Sequence, residues 1–489
     1  MFSQEQLTSH LHSELLAVSG QFPGKWASVS CDSRRCGANT LFAAIRGTAR
    51  NGNDFLAEAA ASGCRAVLTA DAEAPIPAGM IRFLVKDDRK AAAMAFSLAS
   101  GLPDRSLRLF GVTGTNGKTT TAFALHALLS TAGKCGLLST VCCDDGTGKT
   151  PARWTTPAPE ALFPAFRRMA DNGCAFCAME LSSQALDQQR MGDALFESAV
   201  FTNLTGDHLD YHRDTEHYFA AKKRLFFERL SSKGFAVCNA DDPCGKQLAQ
   251  ELGAQAESFS FAPGAKHRIE IQELSLTGSR FLLDGIPFFC SLPGKYNISN
   301  FSGALLSAMG SGLAPDRLAG TLETLSVPGR LERCTLLPGR PVVFVDFAHT
   351  DDALTNVLSF LRGAAPHKKL VAVFGAGGDR DKTKRLRMGR AVSKLADFAV
   401  LTSDNPRTED PLAILSMMEA GIQGGDYILE PDRRAAITRG IREAGADGIV
   451  LIAGKGHEAT QEIAGVQYPF SDRETAEEFL HAEYEEKTI

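Results

Sequence analysis

Residues 109–129, "LFGVTGTNGKTTTAFALHALL", read as a buried strand, a glycine-rich turn and an amphipathic helix, which is how a chain builds a phosphate cradle. The spacing is unusual. A standard phosphate loop has a glycine five residues before the glycine of Gly-Lys, but here Val112 holds that place and glycines stand at 111 and 114 instead. In "TGTNGKTT", Gly114 and Gly117 let backbone N–H groups face phosphates, Lys118 supplies a point charge, and the helix that follows turns its positive end toward them. Thr119 is then placed to ligate Mg²⁺. The plain alternative is a glycine turn capping an ordinary helix. The coincidence of strand, glycines, Gly-Lys-Thr and helix favours nucleotide binding.

The chain has 489 residues, so at roughly 150 residues per domain about three domains are expected. Hydrophobic residues make up 44% and charged residues 22%, a globular composition. A formal net charge of −5 supplies no basic field to gather a polyanion, so nucleic acid is not expected as a partner. The start, "MFSQEQLTSHLHSE", has no cationic flank leading into an apolar core, and no run of about 18 apolar residues occurs. The expectation is a cytoplasmic protein that acts on small molecules, without membrane partners and as a monomer. Twelve cysteines are scattered. Only Cys174 and Cys177 form a C-x-x-C pair, and no second pair stands at zinc spacing, so reduced, buried thiols are expected.

The expected fold is α/β in three domains. In 1–104, short apolar strands ("TLFAAI", "CRAVLT") bracket the helical "DFLAEAAASG". In 105–330, strands near 107–113, 135–141, 174–181 and 199–204 alternate with helices, the pattern of a parallel phosphate-loop sheet covered on both faces. Between 257 and 292 the period drops to two, predicting a small antiparallel extension ahead of the helix "NISNFSGALLSAMGSG". In 331–489, "PVVFVDF", "KLVAVFG", "DFAVLT" and "GIVLIAG" alternate with helices, which predicts a doubly wound, Rossmann-like domain.

A phosphate loop needs an acid at the end of a neighbouring strand to hold its metal, and "CAFCAMELSS" puts Glu180 there; a solvated strand-end glutamate would look the same. The next strand leads to His208 and His212. Four-residue histidine spacing also occurs in zinc sites, but H-E-x-x-H lacks its glutamate here and no third ligand follows. By pattern alone Lys222, in "HYFAAKKRLFF", is a solvated helix lysine. "GAGGDR" after "LVAVF" invites a dinucleotide reading, but Arg380 replaces the third glycine of G-x-G-x-x-G. The basic string from Arg380 to Arg387 reads otherwise as a solvated helix face.

With GTNGKTT followed in order by "ELSSQALDQQR", "NLTGDHLDYH", "AAKKRLFF", "GKYNISN", "FAHTDDAL", "GAGGDRDKTKR", "SDNPR" and "AGKGHE", the chain resembles the Mur ligases of peptidoglycan synthesis. The likeness covers nearly the whole chain, including "CDSRRCGANTLFAAIRG", and GTNGKT is that family's phosphate loop, which accounts for Val112. It implies ATP-driven amide formation through an acyl phosphate, with Mg²⁺ as cofactor, and UDP-substrate, ATP and amino-acid roles for domains 1–104, 105–330 and 331–489. The resemblance implies addition of meso-diaminopimelate to UDP-N-acetylmuramoyl-L-alanyl-D-glutamate; L-lysine or another diamino acid is the alternative.

Carried over by matching position, the resemblance makes Gly114, Thr115, Asn116, Gly117, Lys118, Thr119, Thr120, Asn297 and His349 the ATP contacts. It makes Lys118, Glu180, His208 and Lys222 catalytic, puts Thr119, Glu180, His208 and Lys222 at magnesium, and makes Lys222 an N6-carboxylysine. The UDP-substrate positions are Cys31, Ser33, Thr48, Ala49, Arg50, Thr155, Thr156, Ser182, Gln188 and Arg190. Capping is the structural alternative for Ser33 and Ser182. Trp154 stands where the family commonly has asparagine, and Thr48, Ala49 and Arg50 replace a differently composed loop.

The amino-acid positions are Arg380, Asp404, Asn405, Pro406, Arg407, Gly454 and Glu458. Asp404, Asn405 and Pro406 predict a tight turn presenting Arg407. In the family, DNPR marks enzymes that add diaminopimelate. An arginine fork can grip a distal carboxylate that diaminopimelate has and lysine lacks, while Glu458 would pair with an ammonium group. A folate polyglutamate ligase typically has GTNGKGS and lacks DNPR. A nucleotide switch without ligase chemistry is the rival from another class.

Overall fold

The computed structural model describes residues 1–47, 50–206 and 211–486. Contacts gather the chain into two units, Met1–Phe259 with Gly303–Leu318, and Ser260–Ser302 with Ala319–Ile489. Among the described residues no helix is long and apolar enough to cross a membrane.

The first unit is built on two main sheets, beside the short antiparallel pair Phe2–Ser3 and Lys25–Trp26. A five-stranded sheet runs in the order Leu15–Ser19, Ile81–Val85, Ala66–Thr69, Thr40–Ala43, Ser28–Ser30; its first pair is antiparallel and the rest are parallel. Successive side chains on a strand point to opposite faces. Leu41, Ala43, Ala66 and Leu68 therefore enter one apolar cluster while Phe42 and Val67 enter another. Both faces are covered, which is why "TLFA" and "AVLT" read as continuous apolar runs rather than alternating ones.

The larger sheet sets Arg108–Thr113 between the parallel neighbours Phe176–Glu180 and Phe196–Phe201. Cys135–Leu138 lies beyond the first of these and Leu230–Asn239 beyond the second. The helix Lys118–Ser130 buries Thr119 to Leu125 without a break, so it is packed nearly all round rather than amphipathic. Cys174 and Cys177 are free and buried, and burial pushes both thiols above their ordinary range.

In the second unit the period-two stretch folds, as expected, into an antiparallel meander of His267–Ser275, Gly278–Leu283 and Ile286–Cys290. The helix Lys295–Gly310 follows, with its residues from Gly303 onward assigned to the first unit. A six-stranded sheet has the order Glu332–Arg333, Val342–Asp346, Ile449–Ala453, Leu370–Phe374, Phe398–Leu401, Asp426–Leu429. Its four inner strands are parallel to one another. Leu370, Ala372 and Phe374 pack on one face and Val371 and Val373 on the other, the two-sided burial of a doubly wound sheet.

The basic string from Arg380 to Arg387 is not simply a solvated face. Arg385 has no exposed side-chain surface and grips Glu409 through Nη1 and Nη2 at 2.9 and 2.8 Å. This hydrogen bonding holds the Glu409 carboxyl down to about 2. The stability that the pair contributes is complete above the ordinary glutamate range and is lost only as pH falls toward that value.

Candidate active site

At the carboxyl end of Arg108–Thr113 the chain reverses through Gly114, at φ 148°, and Gly117, at φ 87°, before the helix starts at Lys118. Gly114 is confined as well as left-handed, because an ideal Cβ there would lie 1.9 Å from Thr202 Oγ1. The loop is fastened to the segment after the neighbouring strand. Thr115 N donates to Asn203 O (2.9 Å), Asn116 N to Asn203 Oδ1 (2.9 Å), and Thr202 Oγ1 to Asn116 O (2.6 Å). Asn203 thus reads the loop through backbone and side chain together. Nothing local marks it for this role, since an asparagine after a buried strand looks like turn chemistry.

Two lysines meet on this loop. Lys118 Nζ donates to Gly114 O at 2.9 Å and Thr115 O at 2.8 Å. Lys222, on the helix Thr215–Glu228, donates to the same Gly114 oxygen at 2.8 Å and lies 4.4 Å from the Tyr218 ring centroid. Lys222 is only 1% exposed, so the pattern-based reading of it as a solvated helix lysine is corrected. His212 is buried with Nε2 2.9 Å from Ser183 Oγ. His208 lies outside the described residues.

Glu180 closes the strand beside the loop strand, opposite Val112. It is fully buried. Its Oε1 accepts from Thr140 N at 2.8 Å and its Oε2 from Thr140 Oγ1 at 3.1 Å. Both partners are neutral, and no basic side chain pairs with it among the described residues. A buried carboxylate without a countercharge, at the end of the strand next to a phosphate loop, fits a hard divalent cation.

Glu180 also belongs to a network that joins Thr155, Thr156, Ser182, Gln188 and Arg190 of the UDP-substrate positions. Thr140 Oγ1 lies 3.0 Å from Thr155 Oγ1. Thr156 Oγ1 donates to Glu180 O and accepts from Ser182 N. Arg190 Nη1 donates to Thr156 O at 2.6 Å and Nη2 to Gln188 Oε1 at 2.9 Å. Ser182 Oγ caps the helix Ser183–Asp187, so its capping role is real. Thr140 and Tyr211, which accepts from Gln188 Nε2, were not legible as members. On the five-stranded sheet, Ser33 is buried and donates to Glu58 Oε2 at 2.9 Å, while Cys31 and Arg50 are exposed. Thr48 and Ala49 lie outside the described residues.

In the second unit, His349, Arg380, 404–407 and 454–458 all lie in loops that follow the carboxyl ends of parallel strands. That is where open α/β sheets bind ligands. Asn405 joins two of these loops, with Nδ2 donating to Glu458 Oε2 at 2.8 Å. Arg407 is left-handed at φ 53°, and its Nη1 donates to Gly378 O at 2.6 Å while Nε lies 3.5 Å from Glu462 Oε2. Holding a non-glycine residue there costs of order 1–3 kcal/mol, the kind of strain that gathers at functional sites. Arg380 is exposed. Gly454 is needed beside Asp404, since a Cβ there would lie 2.5 Å from Asp404 Oδ2. Asn297 is buried, donating through Nδ2 to Pro293 O, and His349 Nδ1 lies 2.8 Å from Phe347 O.

The glycines of "GAGGDR" serve packing. A Cβ on Gly378 would lie 1.9 Å from Pro406 O, and one on Gly375 would lie 2.4 Å from Thr402 O. The 404–407 loop thus takes the close approach that a pyrophosphate makes in a dinucleotide fold.

Beneath this site Arg433 and Asp472, with no exposed side-chain surface, form a bidentate pair with both bonds at 2.7 Å. The guanidinium also donates to Ser403 O and Ala453 O, the residues just before the two site loops. Arg433→Met is expected to cost about 3–5 kcal/mol by stranding the Asp472 charge, read as the midpoint of urea unfolding. Adding Asp472→Leu should recover most of it. A single-variant loss under about 1 kcal/mol, typical of surface changes, would contradict this bracing role.

Three family models match the chain: the Mur ligase family catalytic domain over 25–102, the Mur ligase middle domain over 112–308 and the Mur ligase glutamate ligase domain over 329–456. The UDP-N-acetylmuramoyl-L-alanyl-D-glutamate--2,6-diaminopimelate ligase of Chlorobaculum tepidum is 40% identical over 464 residues, covering 92% of this chain and 91% of the relative. The chain belongs to the Mur ligase family. A Mur ligase of the same description from Chlorobium phaeobacteroides is 39% identical over 472 residues, covering 93% and 92% of the two chains. A solved structure of a ligase with that name superposes with a TM-score of 0.69 at 33% identity, over 96% of this chain and 98% of its own. The fold is the three-domain α/β fold of the Mur ligases.

Proposed function

We propose that this Mur ligase joins meso-diaminopimelate to UDP-N-acetylmuramoyl-L-alanyl-D-glutamate at the expense of ATP, in the cytoplasmic stage of peptidoglycan synthesis. The observation that carries the choice of amino acid is Arg407, held in a left-handed turn with Nη1 on Gly378 O, one loop away from Glu458. A guanidinium fork and an acidic partner suit a substrate whose far end carries both a carboxylate and an ammonium group. Full-length relatives that bear this activity in their names support the same reading.

The chemistry follows from the poor electrophilicity of a carboxylate. An oxygen of the dipeptide's terminal carboxylate attacks the γ-phosphorus of ATP, the bond to the ADP oxygen breaks, and ADP leaves. The amine of diaminopimelate then attacks the acyl carbon, orthophosphate departs with the carboxylate oxygen, and the amine gives up a proton. The protein mainly positions ionic partners and neutralises charge. The loop N–H groups and Lys118 hold the phosphates. Thr119, Glu180, His208 and carbamylated Lys222 are assigned to Mg²⁺, which when bound screens the charge on the transferring phosphoryl group. Thr155, Thr156, Ser182, Gln188 and Arg190, together with Cys31, Ser33 and 48–50, receive the UDP-substrate. Asn297 and His349 complete the ATP contacts, and the domain boundaries fall near residues 104 and 330. The enzyme acts as a monomer; its cysteines, all free, suit a reducing compartment.

The direct test gives the purified chain ATP, Mg²⁺, the UDP-dipeptide and a panel of diamino acids, with products read by mass spectrometry. The expected result is one tripeptide product containing diaminopimelate, with ADP release that depends on both acceptor substrates. Release indifferent to them would point to a nucleotide switch. Preferential use of lysine would overturn the role of Arg407.

A further inference from the structure

Lys455 has no exposed side-chain surface, and its ammonium donates to Asn405 Oδ1 at 3.0 Å and to Glu458 Oε2 at 2.9 Å. Asn405 returns a bond from Nδ2 to the same Glu458 oxygen at 2.8 Å, and its Oδ1 also accepts from Glu462 N. The three side chains close a triangle across the two loops assigned to the amino-acid substrate. A fully buried ammonium is tolerated only when it is paired and hydrogen-bonded, so the triangle is self-consistent only with all its members in place. It also divides the Glu458 carboxylate. Oε2 is taken by Lys455 and Asn405, while Oε1 makes no hydrogen bond among the described residues and the side chain stays 34% exposed.

We propose that Lys455 is a positioning residue for the amino-acid substrate: it pins one oxygen of Glu458 so that the other is presented, already oriented, to the ammonium group of the incoming amino acid. This rests on the assignment of the 404–407 and 454–458 loops to that substrate. A carboxylate fixed before binding pays less ordering entropy when it captures an ammonium group, so the benefit falls on capture of the amino acid. ATP and the UDP-dipeptide do not feel it.

The test compares wild type, Lys455→Met, Lys455→Gln, Glu458→Gln and the double variant Lys455→Met/Glu458→Gln in the full chain. The KM of each of the three substrates and the melting temperature are measured. Lys455→Met is expected to raise the KM for diaminopimelate roughly ten- to hundredfold, as loss of a charged hydrogen bond does, with ATP and UDP-dipeptide KM within about twofold. Lys455→Gln, which keeps a donor, should fall between. The double variant should be no worse than Glu458→Gln alone, because Lys455 acts through that carboxylate. Additive losses, equal shifts in all three KM values with a lowered melting temperature, or failure of both lysine variants to fold would make Lys455 merely structural and overturn the proposal. If wild type consumes a different diamino acid, the function reading fails separately, and the same KM comparison made with that acid still tests Lys455.

Discussion

Lys222→Ala is expected to lower turnover by on the order of a thousandfold, the scale of losing a principal electrostatic contact in a transition state, while ATP binding persists through the intact loop. The reason lies in the position of the side chain. Lys222 and Lys118 both donate to the carbonyl oxygen of Gly114, so two ammonium groups stand within a few ångströms of each other. Like charges this close are mutually unfavourable. The proposed carbamylation would remove the conflict: the neutral Lys222 amine would add to carbon dioxide and lose a proton, giving an anion that retains one N–H for the Gly114 carbonyl. The repulsion with Lys118 would become attraction, and the site would gain an oxygen donor for a hard cation. Short carboxylates such as formate or acetate should restore part of the lost activity, and labelled bicarbonate should give a carbamate carbon resonance in wild type that the variant lacks. Normal turnover in the alanine variant would remove Lys222 from the mechanism.

Arg407→Ala should reduce kcat/KM for diaminopimelate by roughly a hundredfold or more, since truncating one member of a partly buried charged pair costs about 2–5 kcal/mol. KM for the UDP-dipeptide should not change. The turn itself should survive, because its backbone is held independently: Arg407 N donates to Glu462 O and Ala464 N to Arg407 O. Alanine still has to adopt φ 53°, so a modest fall in melting temperature is expected in addition to the kinetic effect. Discrimination against lysine should shrink at the same time, because the wild-type guanidinium is left without its partner when lysine binds. A variant with unchanged diaminopimelate kinetics would show that the distal carboxylate is recognised elsewhere.

The parts of this account legible in the sequence are those encoded locally. Strand, glycine turn, Gly-Lys-Thr and helix follow one another within residues 109–129, and the hydrophobic period changes visibly where the antiparallel meander begins. What escaped notice was decided by partners distant in the chain. Lys222 and Arg385 look like solvent-facing helix cations because their buried partners, Gly114 O and Glu409, are supplied by other segments. Asn203 reads as turn chemistry until the loop it clasps is seen. Thr140 has no distinguishing signal, yet it makes both side-chain bonds to Glu180. Lys455 sits inside the AGKGHE motif, but its complete burial and its bond to Asn405, fifty residues away in the chain, leave no local signal.

If a substrate carboxylate is activated by direct phosphorylation, one of its oxygens leaves with phosphate. Placing ¹⁸O in the terminal carboxylate of the UDP-dipeptide and following the released orthophosphate by mass spectrometry tests this most directly. One labelled oxygen in orthophosphate is expected for each amide formed. Tripeptide product accompanied by unlabelled orthophosphate would contradict it.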